Sequence, residues 1–318
     1  MKVFKKIISS LLVVFLLAGS VAFVLRIRDI TDWFKLRNYE PSSEIVSIAD
    51  NSDLNSYGRR LFYVNYPELL DKTTFGKSCS VGEETIVLGC YVSSKKIYLF
   101  DVVEPKLEGV EEVTASHEML HAAYDRLSPG DKDYVNQLIE DAYSRVTNER
   151  IIKNVNSYKS RDPNVVLNEL HSILGTEVRD LPKDLENYYS KYFNNRNAVV
   201  SLAEAYEEEF ESLETQIDAY DSQLSQINGQ IVRIQAELET QNSALKKEKE
   251  SINNLKSDVE AYNRAVVAYN IKVKAYNDDV NSAKTLVEQY NSIVAERNKI
   301  AAQEVGLVEA IDTRQSEL

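Results

Sequence analysis

After Pro182 the chain runs 136 residues to its end without another proline. Proline both removes a backbone donor and clashes with the preceding turn, so its absence leaves this stretch free to form long uninterrupted helix. The apolar residues here follow a seven-residue repeat. One row runs Phe210, Ile217, Leu224, Ile231, Leu238, Leu245, Ile252, Val259, Val266, Val273, Val280, Val287 and Val294. The partner row runs Leu213, Tyr220, Ile227, Ile234, Gln241, Glu248, Leu255, Tyr262, Tyr269, Tyr276, Ala283 and Tyr290. Two apolar rows per heptad form a seam that is buried only against another helix, so residues 183–318 predict a helical coiled coil. Tyr-Asn recurs at 262–263, 269–270, 276–277 and 290–291. Tyrosine in a seam suits a wide or partly wet interface better than a tight leucine zipper. The unbroken phase favours one rod, as in a parallel dimer. Against it, Gln241 and Glu248 put two polar residues in one row, beside the charged run Lys246 to Glu250, near the midpoint of the helical stretch. The balance predicts an intramolecular antiparallel hairpin.

The other end reads differently. Ile7 to Leu25 carries no charge over 19 residues, close to the roughly 20 that span a bilayer as a helix. Lys2, Lys5 and Lys6 precede it. Residues 1–26 therefore predict a cytoplasmic tail and a transmembrane signal anchor at the cell membrane, with the bulk of the chain extracytoplasmic. A cleavable signal peptide is the rival reading; the apolar run continues through Val21–Leu25 without a polar segment, which favours the anchor. Cys79 and Cys90, the only cysteines, then predict a disulfide, as expected in an oxidising compartment. The net charge of −13 argues against nucleic acid as a partner.

Between anchor and coiled coil, residues 27–44 read as a juxtamembrane linker and 45–182 as a globular domain. Leu61–Val64 and Lys96–Val102 predict strands from their aromatic and β-branched content. Glu108–Leu127 predicts a helix, stopped by Ser128-Pro129-Gly130, and Asp131–Val146 a second. A third opens at Asp162-Pro163, as N-cap and first-turn proline, and closes at Gly175.

The first of these helices carries His117-Glu118-Met119-Leu120-His121. Histidines four apart on a helix lie one above the other, so both imidazoles reach one metal ion. Glu118, a quarter-turn round, is placed to take a proton from a water at that ion. Only three histidines occur in the chain, and two are here. Zinc is the expected cofactor, and His117 and His121 the expected ligands. A catalytic zinc takes a third protein ligand. Glu140 projects about 150° from the apolar face of its helix, which geometry rejects. On the third helix Glu169 and the remaining histidine, His171, flank the apolar face formed by Val166, Leu167, Leu170, Ile173 and Leu174 on opposite sides, so only one of them ligates directly.

On the H-E-x-x-H helix and a later helix bearing a glutamate, the chain resembles the gluzincin type of zinc metallopeptidase over about residues 85–180. The metzincin extension is excluded, since Tyr124 and Leu127 stand where it needs glycine and histidine. The resemblance implies Glu169 as third ligand. His171 is the runner-up ligand, or a catalytic side chain that steadies the oxyanion; Glu177 ranks behind both. The aspartate that thermolysin-like proteins carry four residues after this glutamate is replaced by Ile173. The resemblance implies an α+β zincin-like catalytic domain and a hydrolase cutting peptide or amide bonds of a protein or peptide substrate, with Glu118 as general base. The alternative is a non-catalytic, membrane-anchored coiled-coil adaptor. The sequence leaves open whether the coil takes a partner or forms a homodimer.

Overall fold

The computed structural model describes residues 27–79 and 86–314. They form two compact units, one comprising residues up to Glu207 together with those from Ala310 onward, the other Glu208–Glu309. In the first unit α1 covers residues 27–36. It is followed by α2 (Ser43–Asn51), α3 (Ser56–Tyr63), β1 (Glu68–Leu70), α4 (Lys72–Ser78), β2 (Gly89–Tyr91) and β3 (Ile97–Phe100). Then come α5 (Val110–Asp125), α6 (Pro129–Tyr143), α7 (Glu149–Arg161), α8 (Val166–Glu177) and α9 (Lys183–Tyr189). Helix α10 (Asn197–Asn253) begins in this unit and α11 (Val259–Ile311) ends in it.

Local chemistry starts these helices. Ser42, Asn55, Asp71, Ser128 and Asn148 each accept a backbone N–H of the first turn that follows, satisfying donors that no intrahelical carbonyl can reach. The sheet has the order β1-β3-β2. β1 runs parallel to β3, and β2 antiparallel to it with Cys90 opposite Tyr98, so β2 is an edge strand. The Cys79–Cys90 disulfide is formed and ties β2 to the end of α4. Helix α5 is the centre of the unit. It packs on α2, α3, β2 and β3 and most extensively on α8, burying Met119, Leu120, Ala122 and Ala123. The α5–α8 approach depends on a missing side chain: a Cβ on Gly175 would stand 2.3 Å from Leu120 Cδ1.

Several expectations are corrected. The α+β class gives way to a predominantly helical body in which the three short strands form one small sheet. Leu61 and Phe62 lie in α3, both buried on its core face; Asn55 caps a helix there, and tertiary burial overrides the strand propensity of Leu61–Val64. Asp162 accepts the N–H of Asn164 in a turn and α8 begins only at Val166, while Gly175 lies inside α8, where it serves packing rather than termination. The globular core also extends beyond residue 182, for Leu185, Tyr188, Tyr189, Phe193 and Val199 all belong to it.

The expected transmembrane anchor, and the cell-membrane location that rested on it, are corrected as well. Among the described residues no helix is long and apolar enough to cross a membrane. Helix α1, which follows the apolar run, carries Arg28, Asp29, Asp32 and Lys35 within a few turns, and Asp32 is engaged by Arg126. Ile7–Leu25 itself lies outside the described residues.

The second unit is an antiparallel pair of helices. Gln241 donates to Asp279 at 2.7 Å, Lys272 meets Glu248 at 2.7 Å and Arg297 meets Asp221 at 3.0 Å, a register that closes on the turn at 254–258. The turn lies beyond the charged run where the seam pattern placed it. Ile217, Leu224, Ile231 and Leu238 of the outgoing row are shielded, and Ile227 and Ile252 are buried. On the return helix Tyr262, Tyr269, Tyr276 and Tyr290 are half-buried, whereas Val259 and Val287 are exposed. The heptad keeps its phase beyond the turn, with Val266, Val273, Val280 and Val294 shielded as the first row requires; only locally does Leu286 take the shielded place given to Val287.

Candidate metal centre

His117 and His121 are one turn apart on α5, their ring centroids 4.7 Å apart. Across from them, the first turn of α8 presents Glu169. His117 Nε2 lies 3.6 Å from Glu169 Oε2, and His121 Nε2 lies 3.7 Å from Glu169 Oε1. One donor atom from each residue lies within 4.8 Å of the other two. A tetrahedral zinc with bonds of 2.0–2.1 Å needs donors about 3.4 Å apart, and each histidine nitrogen already lies close to that separation from a Glu169 oxygen. The side chains are 18%, 11% and 17% exposed, shielded by protein yet open on one side.

The open side is a cleft of about 480 Å³. One wall is Ile86–Tyr91, including all of β2; the other is a stripe on α7, where Arg150, Asn154 and Tyr158 recur at four-residue intervals. Glu118 faces the cleft but is only 6% exposed. Burial, reinforced by the charge of Glu169 and opposed by His121 and by the Tyr91 N–H that its carboxylate accepts, pushes its pKa up to about 7. A Cβ on Gly89 would lie 2.5 Å from Thr114 Cγ2 and 2.9 Å from Glu118 Cγ. Glycine therefore lets the edge strand close directly over the glutamate.

For Glu169, burial pushes the pKa up, but the hydrogen bond from His117, both histidine charges and the Tyr158 hydroxyl outweigh it and leave it below the usual range. Tyr158 moves upward, through burial first and then the nearby Glu169 and Glu118 carboxylates. Its hydroxyl thus stays protonated and able to donate.

The structure separates the other sequence candidates. His171 is completely buried and does not line the cleft. Its Nε2 lies 2.8 Å from the Tyr188 hydroxyl, among the rings of Tyr124, Tyr188 and Tyr189. Burial, with the charges of His121 and His117, drives its pKa down to about 3, so it is a neutral core residue. Glu177 also lines the cleft but is paired with Arg150 at 2.8 Å and is not one of the three clustered donors. Glu140 is exposed on α6. The sequence reading missed Tyr158, Asn154 and Arg150 because it assigned no helix to α7. The signal was present: Asn148 can cap, and Ile151, Val155 and Tyr158 fall at i, i+4 and i+7.

Comparison with protein-family models, with curated proteins and with solved structures found no match.

Proposed function

We propose that the first unit is a zinc-dependent hydrolase of peptide or amide bonds, with His117, His121 and Glu169 as the metal ligands and Glu118 as the general base. The observation that carries this reading is the convergence of two imidazole nitrogens and a carboxylate at one open point, with a shielded glutamate adjoining. Two nitrogens and one oxygen suit zinc, and the open side leaves the fourth position that catalytic sites keep. A zinc ion held there supplies Lewis acidity, polarising a carbonyl and making water acidic near neutral pH.

The chain's own residues do the rest. Glu118 accepts a proton from the attacking water as the carbonyl carbon gains its new C–O bond. When the C–N bond breaks, the same carboxyl returns the proton to the departing amine. The Tyr91 N–H and the close packing of Gly89 fix the orientation of Glu118. Tyr158 is a positioning residue: its hydroxyl steadies the Glu169 carboxylate, as outer partners of metal ligands do.

The test uses the full-length protein. Native mass spectrometry should find about one zinc per chain, and a mixture of quenched fluorescent peptides should be cleaved in a chelator-sensitive manner. Glu118→Gln should keep the zinc and lose turnover by about 10²–10⁴-fold. Zinc-loaded protein that cleaves none of the peptides, or a Glu118→Gln variant with wild-type turnover, defeats the proposal.

A further inference from the structure

We propose that the helical hairpin 208–309 is a control element of the cleft, acting through its two junctions with the first unit. The hairpin is an insertion: the chain leaves the first unit after Glu207 and re-enters it at Ala310. Both junctions are built into cleft walls. At the outgoing one, Tyr206 lines the cleft and Glu207 forms an ion pair with Arg150, which also holds Glu177. At the returning one, Thr313 is fully buried. Its hydroxyl donates to the Val87 carbonyl at 2.7 Å and accepts the Val87 N–H at 3.4 Å. Val87 lines the opposite wall, two residues before the glycine that presses on Glu118.

No flexible linker separates the insert from these contacts. Helix α10 is continuous from Asn197 to Asn253 and α11 from Val259 to Ile311, so Tyr206 and Glu207 lie within a helix and Thr313 two residues past one. A tether whose only task is to connect would join through glycine- or proline-rich segments that absorb displacement. On this proposal, a change in the pairing of the two helices reaches residues 206–207 and 310–313 along the helices that lead to them. It is therefore felt at Arg150 on one wall and at β2 on the other. Any partner that tightens or splays the hairpin would shift the cleft between a closed and a looser state, the differential interaction that regulation requires.

Hydrogen exchange on the full-length protein tests this without turnover, so it stands or falls separately from the hydrolase reading. In the register of the hairpin, Leu213 and Leu307, both buried, stand opposite each other near its open end. Leu213→Asp should loosen the pairing without altering a residue of the cleft. Thr313→Val should cut the strap on Val87, and Thr313→Ser should preserve it. Amides at 87–91 should exchange about fivefold faster or more in Leu213→Asp and Thr313→Val, with α2 and α3 unchanged and Thr313→Ser like wild type. If Leu213→Asp speeds α2 and α3 as well, Ile227→Asp, deeper in the hairpin, is read by the same criterion. Faster exchange within 208–309 with wild-type rates at 87–91 overturns the proposal, as does a Thr313→Val variant with unchanged rates there.

Discussion

Glu169 and His171 are two residues apart on one helix, and their fates show what decides a site at the scale of a side chain. Glu169 turns towards α5 and meets both histidines; His171 turns into a cluster of tyrosines and is sealed from the cleft. Opposite flanks of a helical stripe were readable from spacing alone. Which flank faced His117 and His121 was not, because that depends on the side from which α8 crosses α5. The difference is measurable. Glu169→Ala should abolish stoichiometric zinc binding, seen by native mass spectrometry, whereas His171→Phe should retain the metal while lowering the melting temperature. The loss of the buried hydrogen bond to Tyr188 in the latter should cost about 1–3 kcal/mol. Tyr158→Phe removes the hydroxyl that steadies Glu169 and should weaken zinc affinity by about tenfold or more in a competition titration.

At the scale of elements, two close approaches build the site. Gly175 lets α8 lie against α5 at Leu120, and Gly89 lets β2 lie against Glu118. Gly175→Ala places a methyl 2.3 Å from Leu120 Cδ1. Overpacking of this kind should cost about 1–3 kcal/mol in denaturant titrations and weaken zinc binding, since the helix that carries Glu169 must shift. The disulfide acts on the same wall. Replacing Cys79 and Cys90 together with serine should cost about 2–4 kcal/mol and raise hydrogen exchange at β2, leaving α8 protected. The motif helix was legible because its apolar and small residues hold a 3.6-residue period. Leu61–Val64 was misread because an aromatic, β-branched tetrapeptide fits strand and helix alike, and the Asn55 cap together with burial of Leu61 and Phe62 settled the matter. Helix α7, which forms a wall of the cleft, was overlooked although its own cap and apolar spacing announce it.

For the whole molecule, the hairpin and the unit it interrupts are specified by different physics. The seam of α10 and α11 is a one-dimensional pattern, and a pairing satisfied within one chain predicts a melting temperature independent of protein concentration. A parallel dimer would instead melt higher as concentration rises, which differential scanning calorimetry over a hundredfold range would detect. By itself the sequence determined that two long helices must bury a heptad seam, that His117 and His121 share one helical face, and that Cys79 and Cys90 are near enough in the chain to close a loop. These are local properties, fixed by periods of a few residues. Only the tertiary structure decided where the seam turns back, that the body is predominantly helical, and that Glu169 rather than His171 faces the two histidines. It also brought Arg150, Tyr206 and the Thr313 strap to the walls of one cleft. Such juxtapositions depend on helix crossings set by packing across long sequence separations, where a single glycine decides how closely two elements approach.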